Sequence, residues 1–323
     1  MAMRYLVTGA AGFIGSHLVQ RLLADGRDVV GVDNLSTGRQ RNLQDIEAAG
    51  TGSGTESGSG RWRFIEGDLT DPEVARLSCE NREIVLHQAS IPSVPRSIER
   101  PVESMQSTVA ASLILFEAAR RAGVRRIVQA SSSSVYGGQA PLPTTEDAPL
   151  CPLSPYAAAK AAQEMYARAY SKTMGLEVVS LRYFNVFGPR QAADSPYSGV
   201  IAKFAARMRA GQAPVIQGDG LTTRDFTYVD NVVDANLLAA RHAGSGLAGE
   251  AFNIGSGERW SLLDLVGTLN RVLGTSLQPN FTSPRAGDAR HSQADIRKAM
   301  DGFGYASRVS FTEGLERTVF SNP

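Results

Sequence analysis

Residues 7–15 read VTGAAGFIG. Gly9, Gly12 and Gly15 fall at every third position, between the strand-like run RYLV and the helix-like run FIGSHLVQRLLADG. Glycine permits a tight strand-to-helix turn and lets backbone N–H groups approach an anion at the helix N-terminus. Such a pattern alone is weak evidence, because packing glycines in an ordinary strand–turn–helix look the same. Here the next strand-like run, DVVGVD, ends on Asp33. That combination of strand, glycine turn, helix and acid is the signature of a dinucleotide site. An acid at this position accepts hydrogen bonds from both adenosine ribose hydroxyls and repels a 2′-phosphate, so the cofactor expected is NAD rather than NADP.

The alternation continues outward from this turn. RWRFIEGD, EIVLHQAS, RRIVQASSSS and LEVVSLRYFNVFG read as further strands, with the helical ASLILFEAARRAG among them. Short apolar strands alternating with helices predict an α/β fold, a doubly wound parallel (Rossmann) sheet with helices on both faces. Past about residue 182 the pattern loosens into loops and helices, which predicts a smaller α/β substrate-binding lobe. The expected division is residues 1–181 for the NAD-binding domain and 182–323 for the lobe, with some segments returning to the first. Residues 48–60, AAGTGSGTESGSG, are too poor in apolar side chains to order themselves and are expected to form a flexible loop.

Composition excludes several classes. The chain has 323 residues, 42% hydrophobic, with a formal net charge of +1, so nothing in it calls for nucleic acid as a partner. No apolar run is long enough to span a membrane, and the N-terminus lacks the features of a signal peptide. Cys79 and Cys151 are isolated thiols, which suits a reducing cytoplasm better than a disulfide framework. The four histidines show no metal-ligand spacing, so no metal is expected.

Two further features bear on chemistry. SPYAAAK, residues 154–160, sets Tyr156 and Lys160 one helical turn apart on a common face. A lysine so placed is expected to lower the phenol pKa until Tyr156 acts as a base near neutral pH. Asp68, in EGDL, is expected either to bond the adenine amine or to cap the helix beginning near TDPEV.

Together these segments resemble the extended short-chain dehydrogenase/reductase family. The match comprises GxxGxxG at 9–15, DNLSTG at 33–38, GDL at 67–69, SSSSVYG at 131–137 and YxxxK at 156–160. RYFNVFGPRQ at 182–191, GDGLTTRDFTYVDNVVDA at 218–235 and RAGDARHSQADI at 285–296 carry it through the second lobe. Within the family the chain resembles nucleotide-sugar 4-epimerases, and among them bacterial UDP-N-acetylglucosamine 4-epimerases, which share the segment SVPRSIERP at 93–101. The resemblance implies that Tyr156 is the catalytic base, that Lys160 bonds the nicotinamide ribose, and that Ser132 shares the substrate hydroxyl. It extends the cofactor site to Phe13, Ile14, Asn34, Ser36 and Gly38. It adds Leu69 beside Asp68, and Gln88 and Ala89 at the end of the fourth strand.

For the substrate, the resemblance assigns the diphosphate to Asn185, Arg224 and Arg285. By the same resemblance Val200, in GVIAKF, is expected to contact uracil, Gln217 belongs to the substrate site, and Asp288, in the same motif as Arg285, is expected there too. Ser93, Arg96, Ser133 and Ser134 are expected around the sugar. Family dehydratases carry an Asp-Glu pair, and decarboxylases a Glu, where Ser133 and Ser134 stand. Without such groups a 4-keto sugar is expected only to turn over and be reduced on its other face, which is epimerisation. By the resemblance Ser292 lies beside the C2 substituent, and its small size there implies N-acetylated sugars. Ser107 and Thr108 replace the Asn-Asn common in the family. The expected activity is therefore 4-epimerisation of UDP-GlcNAc and UDP-GalNAc. The alternatives are the same reaction on UDP-glucose or UDP-glucuronate, or a catalytically inactive NAD-binding regulator. A homodimer is expected by resemblance, with the alanine-rich YAAAKAAQEMYARAY as the pairing helix.

Overall fold

The computed structural model describes residues 3–50, 61–192, 199–283 and 290–321. The elements run β1 (Arg4–Thr8), α1 (Phe13–Ala24), β2 (Asp28–Asp33), α2 (Gln40–Gly50), β3 (Trp62–Glu66), α3 (Pro72–Cys79), β4 (Ile84–His87), α4 (Val94–Glu99) and α5 (Pro101–Met105). A π-turn at Gln106–Ala110 leads into α6 (Ala111–Arg121), followed by β5 (Arg126–Ser132), a 3₁₀ turn at Ser133–Tyr136, α7 (Pro155–Thr173), β6 (Glu177–Tyr183) and β7 (Val186–Phe187). The remainder comprises α8 (Val200–Arg209), β8 (Val215–Gln217), β9 (Thr223–Arg224), β10 (Thr227–Tyr228), α9 (Val229–Arg241), β11 (Ala251–Ile254), β12 (Trp260–Ser261), α10 (Leu262–Leu273), β13 (Asn280–Thr282), α11 (Arg297–Phe303) and α12 (Phe311–Phe320). Among the described residues no helix is long and apolar enough to cross a membrane.

Seven strands form the main sheet in the order β11-β6-β5-β4-β1-β2-β3. β1 pairs in parallel with both β2 and β4, so the winding reverses between β1 and β4. A crevice opens beyond the carboxyl ends of strands at such a reversal, where doubly wound sheets bind ligands. β1, β2, β4 and β5 are buried nearly throughout, as strands covered by helices on both faces must be. α2 continues through Gly50, so the start of the glycine- and serine-rich stretch is helical, while residues 51–60 lie outside the described residues.

The chain divides into two compact units. The first comprises residues 1–132, 154–182 and 233–252, and its core gathers Leu6, Val30, Val85, Phe116, Ile127 and Val178. The second comprises residues 133–153, 183–232 and 253–323. It is built on three two-stranded sheets, β7 with β10, β9 with β12 and β8 with β13. Its core is aromatic: Phe311 stacks on Phe226 and Trp260, with ring centroids 5.4 and 4.7 Å away.

One strand expectation changes. The run LEVVSLRYFNVFG was expected as one strand but forms two. Asn185 takes φ +26°, which turns the chain out of the sheet, and β7 then pairs with β10. β11 has only four residues and no strong sequence signal; Ser180 N and Phe184 N bond the carbonyls of Glu250 and Ile254, the even advance of a parallel pair.

Candidate active site

The glycine turn is built by close approach. Gly9 has φ +67°, and a Cβ there would lie 2.9 Å from the Ala89 nitrogen. A Cβ on Gly15 would lie 2.0 Å from the Gly9 carbonyl oxygen, so the start of α1 fits against the turn only without side chains. Gly12 is the N-cap of α1 and no side chain caps the helix. The first-turn N–H groups, around Phe13 and Ile14, are thus left for an anion.

Asp33 ends β2 and binds this turn. Its Oδ2 accepts from Ala11 N at 3.0 Å and its Oδ1 from Leu35 N at 2.9 Å. Burial pushes its pKa up, against the two backbone bonds. Gly38 packs beside the same carboxylate. Asn34 donates to Asp68 Oδ2 at 2.7 Å, and its own Oδ1 accepts from Ser36 N and Oγ. Asp68 also accepts from Thr70 N and Oγ1. Burial opposes these bonds, but together they hold its pKa below the ordinary value. The helix-cap alternative for Asp68 is corrected: Asp71 caps α3, accepting from Glu73 N at 2.8 Å. Leu69 is buried, Gln88 Nε2 donates to Asn236 at 3.0 Å, and Ala89 N donates to Thr8 Oγ1 at 3.1 Å. An uncapped helix start behind a side-chain-free turn, with a carboxylate at the end of the next strand, fits NAD.

Tyr156 and Lys160 stand in the first turns of α7. Ser154 caps that helix by accepting from Ala157 N at 3.2 Å, and Pro155 occupies its first position, a placement that proline favours. Tyr156 hydrogen-bonds Ser132 at the end of β5. Its ring keeps some exposure, yet its hydroxyl is enclosed, and burial raises the phenol pKa against the pull of Ser132. Lys160 is buried, and its Nζ donates to Ala130 O at 2.8 Å and Gln163 Oε1 at 3.2 Å. Burial draws its pKa down to about 7, against Glu164. The expected lowering of Tyr156 by Lys160 is therefore not the direction found. Desolvation disfavours both charged forms, and two donors of the ammonium are directed to Ala130 and Gln163.

Ser93 and Arg96 have structural work in the same unit. Ser93 Oγ caps α4 by accepting from Arg96 N at 3.1 Å, and the Arg96 guanidinium donates to Glu103 at 2.7 Å. In the π-turn, Ser107 Oγ donates to Ser104 O at 3.3 Å, while Thr108 Oγ1 is buried without a hydrogen-bond partner.

The second unit holds the other expected residues. Ser133 and Ser134 form the start of the 3₁₀ turn and are half-buried. Asn185 Nδ2 donates to Asp225 O at 3.4 Å and to Ser292 Oγ at 3.3 Å. Arg224, on β9, donates to the carbonyls of Thr223 and Arg290. Val200 opens α8 and Gln217 ends β8, exposed. Arg285 and Asp288 lie outside the described residues.

Sequence reasoning missed a buried polar group behind Lys160. His87 lies between Thr8 Oγ1 and Ser112 Oγ, Gln163 donates to Ser112, and Glu164 pairs with Arg182. The available signal was two polar residues, Gln163 and Glu164, three and four positions after Lys160, on the face that the helix buries.

Residues 5–255 match the model of the NAD dependent epimerase/dehydratase family. The UDP-glucose 4-epimerase of Mycolicibacterium smegmatis is 41% identical over 319 residues, 98% of this chain and 97% of that protein. Among solved structures, the UDP-N-acetylglucosamine 4-epimerase from Methanobrevibacter ruminantium, in complex with UDP-N-acetylmuramic acid, superposes with a TM-score of 0.89. It is 35% identical, with 98% and 97% of the two chains covered. The UDP-glucuronic acid 4-epimerase from Bacillus cereus, in complex with UDP-glucuronic acid and NAD, gives 0.87 at 33% identity and 98% coverage of both chains.

Proposed function

Since the chain belongs to the NAD dependent epimerase/dehydratase family, we propose that it is a UDP-hexose 4-epimerase acting on UDP-GlcNAc and UDP-GalNAc. The observation that carries this reading is the Ser132–Tyr156 hydrogen bond with Lys160 one turn further along α7. Tyr156 accepts the proton of the C4 hydroxyl and later returns it, while Ser132 hydrogen-bonds the same oxygen. Bound NAD supplies the acceptor, and then the donor, of the C4 hydride. Elimination would need one group to take the C5 proton and another to protonate the C6 hydroxyl. Serines at 133 and 134 do neither near pH 7. Asn185 and Arg224 are the proposed diphosphate contacts, the arginine because its planar fork matches phosphate oxygens in pairs. The test is incubation of the purified protein with UDP-GlcNAc, UDP-glucose and UDP-glucuronate in turn, followed by separation of the C4 epimers. No epimer from any of the three would overturn the reading.

The choice of N-acetylated sugars rests on Ser292, a small residue whose hydroxyl is tied to Asn185. An acetamido group adds several heavy atoms, which a filled pocket accommodates poorly. Ser292→Tyr is expected to lose UDP-GlcNAc and UDP-GalNAc turnover while keeping UDP-glucose. The measurement is kcat/KM on both pairs for both proteins. Retention of the N-acetyl activity would show that another residue sets the width.

The assembly proposed is a homodimer through α4, α5 and α7. Ile98, Val102 and Met165, on these mutually packed helices, are 63%, 63% and 64% exposed, and Met105 adds to the group. Exposed apolar side chains on neighbouring helices favour an interaction surface. Sedimentation at micromolar concentration is expected to show a dimer, and Met165→Glu with Ile98→Glu a monomer. A monomeric wild type would refute this assignment.

A further inference from the structure

The hydrogen bonds behind Lys160 run in one direction. Thr8 Oγ1 accepts from Gln88 N and Ala89 N, both at 3.1 Å. With its acceptor capacity used, its own proton points to His87 Nδ1, 2.7 Å away. His87 therefore carries its ring proton on Nε2 and donates to Ser112 Oγ at 2.9 Å. Ser112 directs its proton to the Thr108 carbonyl. Its remaining lone pair accepts from Gln163 Nε2 at 2.8 Å. The amide is thus oriented nitrogen to Ser112 and oxygen to Lys160, whose Nζ lies 3.2 Å away. Gln163 is 1% exposed and His87 likewise, so water does not compete for these bonds.

We propose that Gln163 is a positioning residue for Lys160, its amide oriented by Thr8, His87 and Ser112 so that its oxygen anchors the ammonium. An ammonium has three N–H groups and no acceptor. Ala130 O takes one and Gln163 Oε1 a second. The third is left for a further acceptor, such as a ligand hydroxyl. His87 adds no competing cation, since burial and the nearby Lys160 hold its pKa down at about 3. The titratable groups that interact with Lys160 are His87 from β4 and Glu164 on α7, which is itself paired with Arg182 from β6; β5 offers the Ala130 carbonyl. A neutral acceptor here favours the charged amine without a second buried carboxylate. The proposal's bearing on catalysis rests on the epimerase reading above, whereas its bearing on Lys160 does not.

The test uses the four lysines of the chain, few enough to follow individually by ¹³Cε-lysine NMR. Lys160 is titrated in the full-length wild type, Gln163→Leu and Gln163→Glu, each with and without NAD. Gln163→Leu is expected to lower the Lys160 midpoint by about one pH unit, and Gln163→Glu to raise it by about one or more. The alkaline limb of kcat is expected to move the same way, with the lower value in Gln163→Leu. Ser112→Ala, which releases the amide, is expected to lower the midpoint by less than Gln163→Leu. Should Gln163→Leu fail to fold, Gln163→Glu and Ser112→Ala still decide the matter. A Lys160 midpoint unchanged in the folded variants overturns the proposal. A wild type that epimerises no UDP-sugar would instead overturn the functional reading and leave the NMR result standing.

Discussion

Tyr156→Phe is expected to leave the chain folded and able to bind NAD while lowering turnover about 10²–10⁴-fold, the usual contribution of one general base. The substitution removes a single oxygen. The ring remains at the start of α7, Ser154 still caps the helix, and Lys160 keeps its bonds to Ala130 and Gln163. Circular dichroism and NAD binding should therefore match the wild type, and only kcat should fall. A pH dependence accompanies this. Burial raises the phenol pKa, and the reaction needs the deprotonated form, so the Tyr156 contribution to wild-type kcat should grow as pH rises towards that raised value. Near-wild-type turnover in the phenylalanine variant would remove Tyr156 from the mechanism.

Glu164→Ala is expected to cost stability on the order of 3–5 kcal/mol, the range seen when one member of a buried ion pair is deleted. Arg182 and Glu164 are 6% and 7% exposed and join through a two-pronged contact, Nε to Oε1 at 3.0 Å and NH2 to Oε2 at 2.7 Å. Ser131 donates to the same carboxylate. Removing it takes the carboxylate away from a buried guanidinium and a buried hydroxyl. That loss is a large share of the roughly 5–15 kcal/mol by which native proteins are stable. Glu164→Leu combined with Arg182→Met should recover much of it, because an apolar pair needs no desolvation of charge. Denaturant unfolding measures both. A single-variant loss under about 1 kcal/mol would mean that Arg182 finds another partner, contrary to the ion pair's assigned weight.

The glycine turn, the strand–helix alternation and the Tyr156–Lys160 spacing were legible in the sequence because each depends on neighbours within a few residues. A turn that admits no Cβ needs glycine wherever it occurs, and a four-residue spacing on a helix is one face in any fold. Asp33 was legible for the same reason, since it ends the strand next to that turn. The tertiary structure decided the rest. Asp71, not Asp68, caps α3, while Asp68 is engaged by Asn34, which the fold brings beside it. The strand after α7 breaks at Asn185, and β7 finds its partner in β10, far along the chain. Ser112 meets His87 across 25 positions of chain and Gln163 across 51, so no local pattern announces the group they form. The direction of the Tyr156 and Lys160 pKa values belongs to the same class. Spacing says that a phenol and an ammonium share a face, but the cost of charging either depends on how much water the folded chain removes from around them.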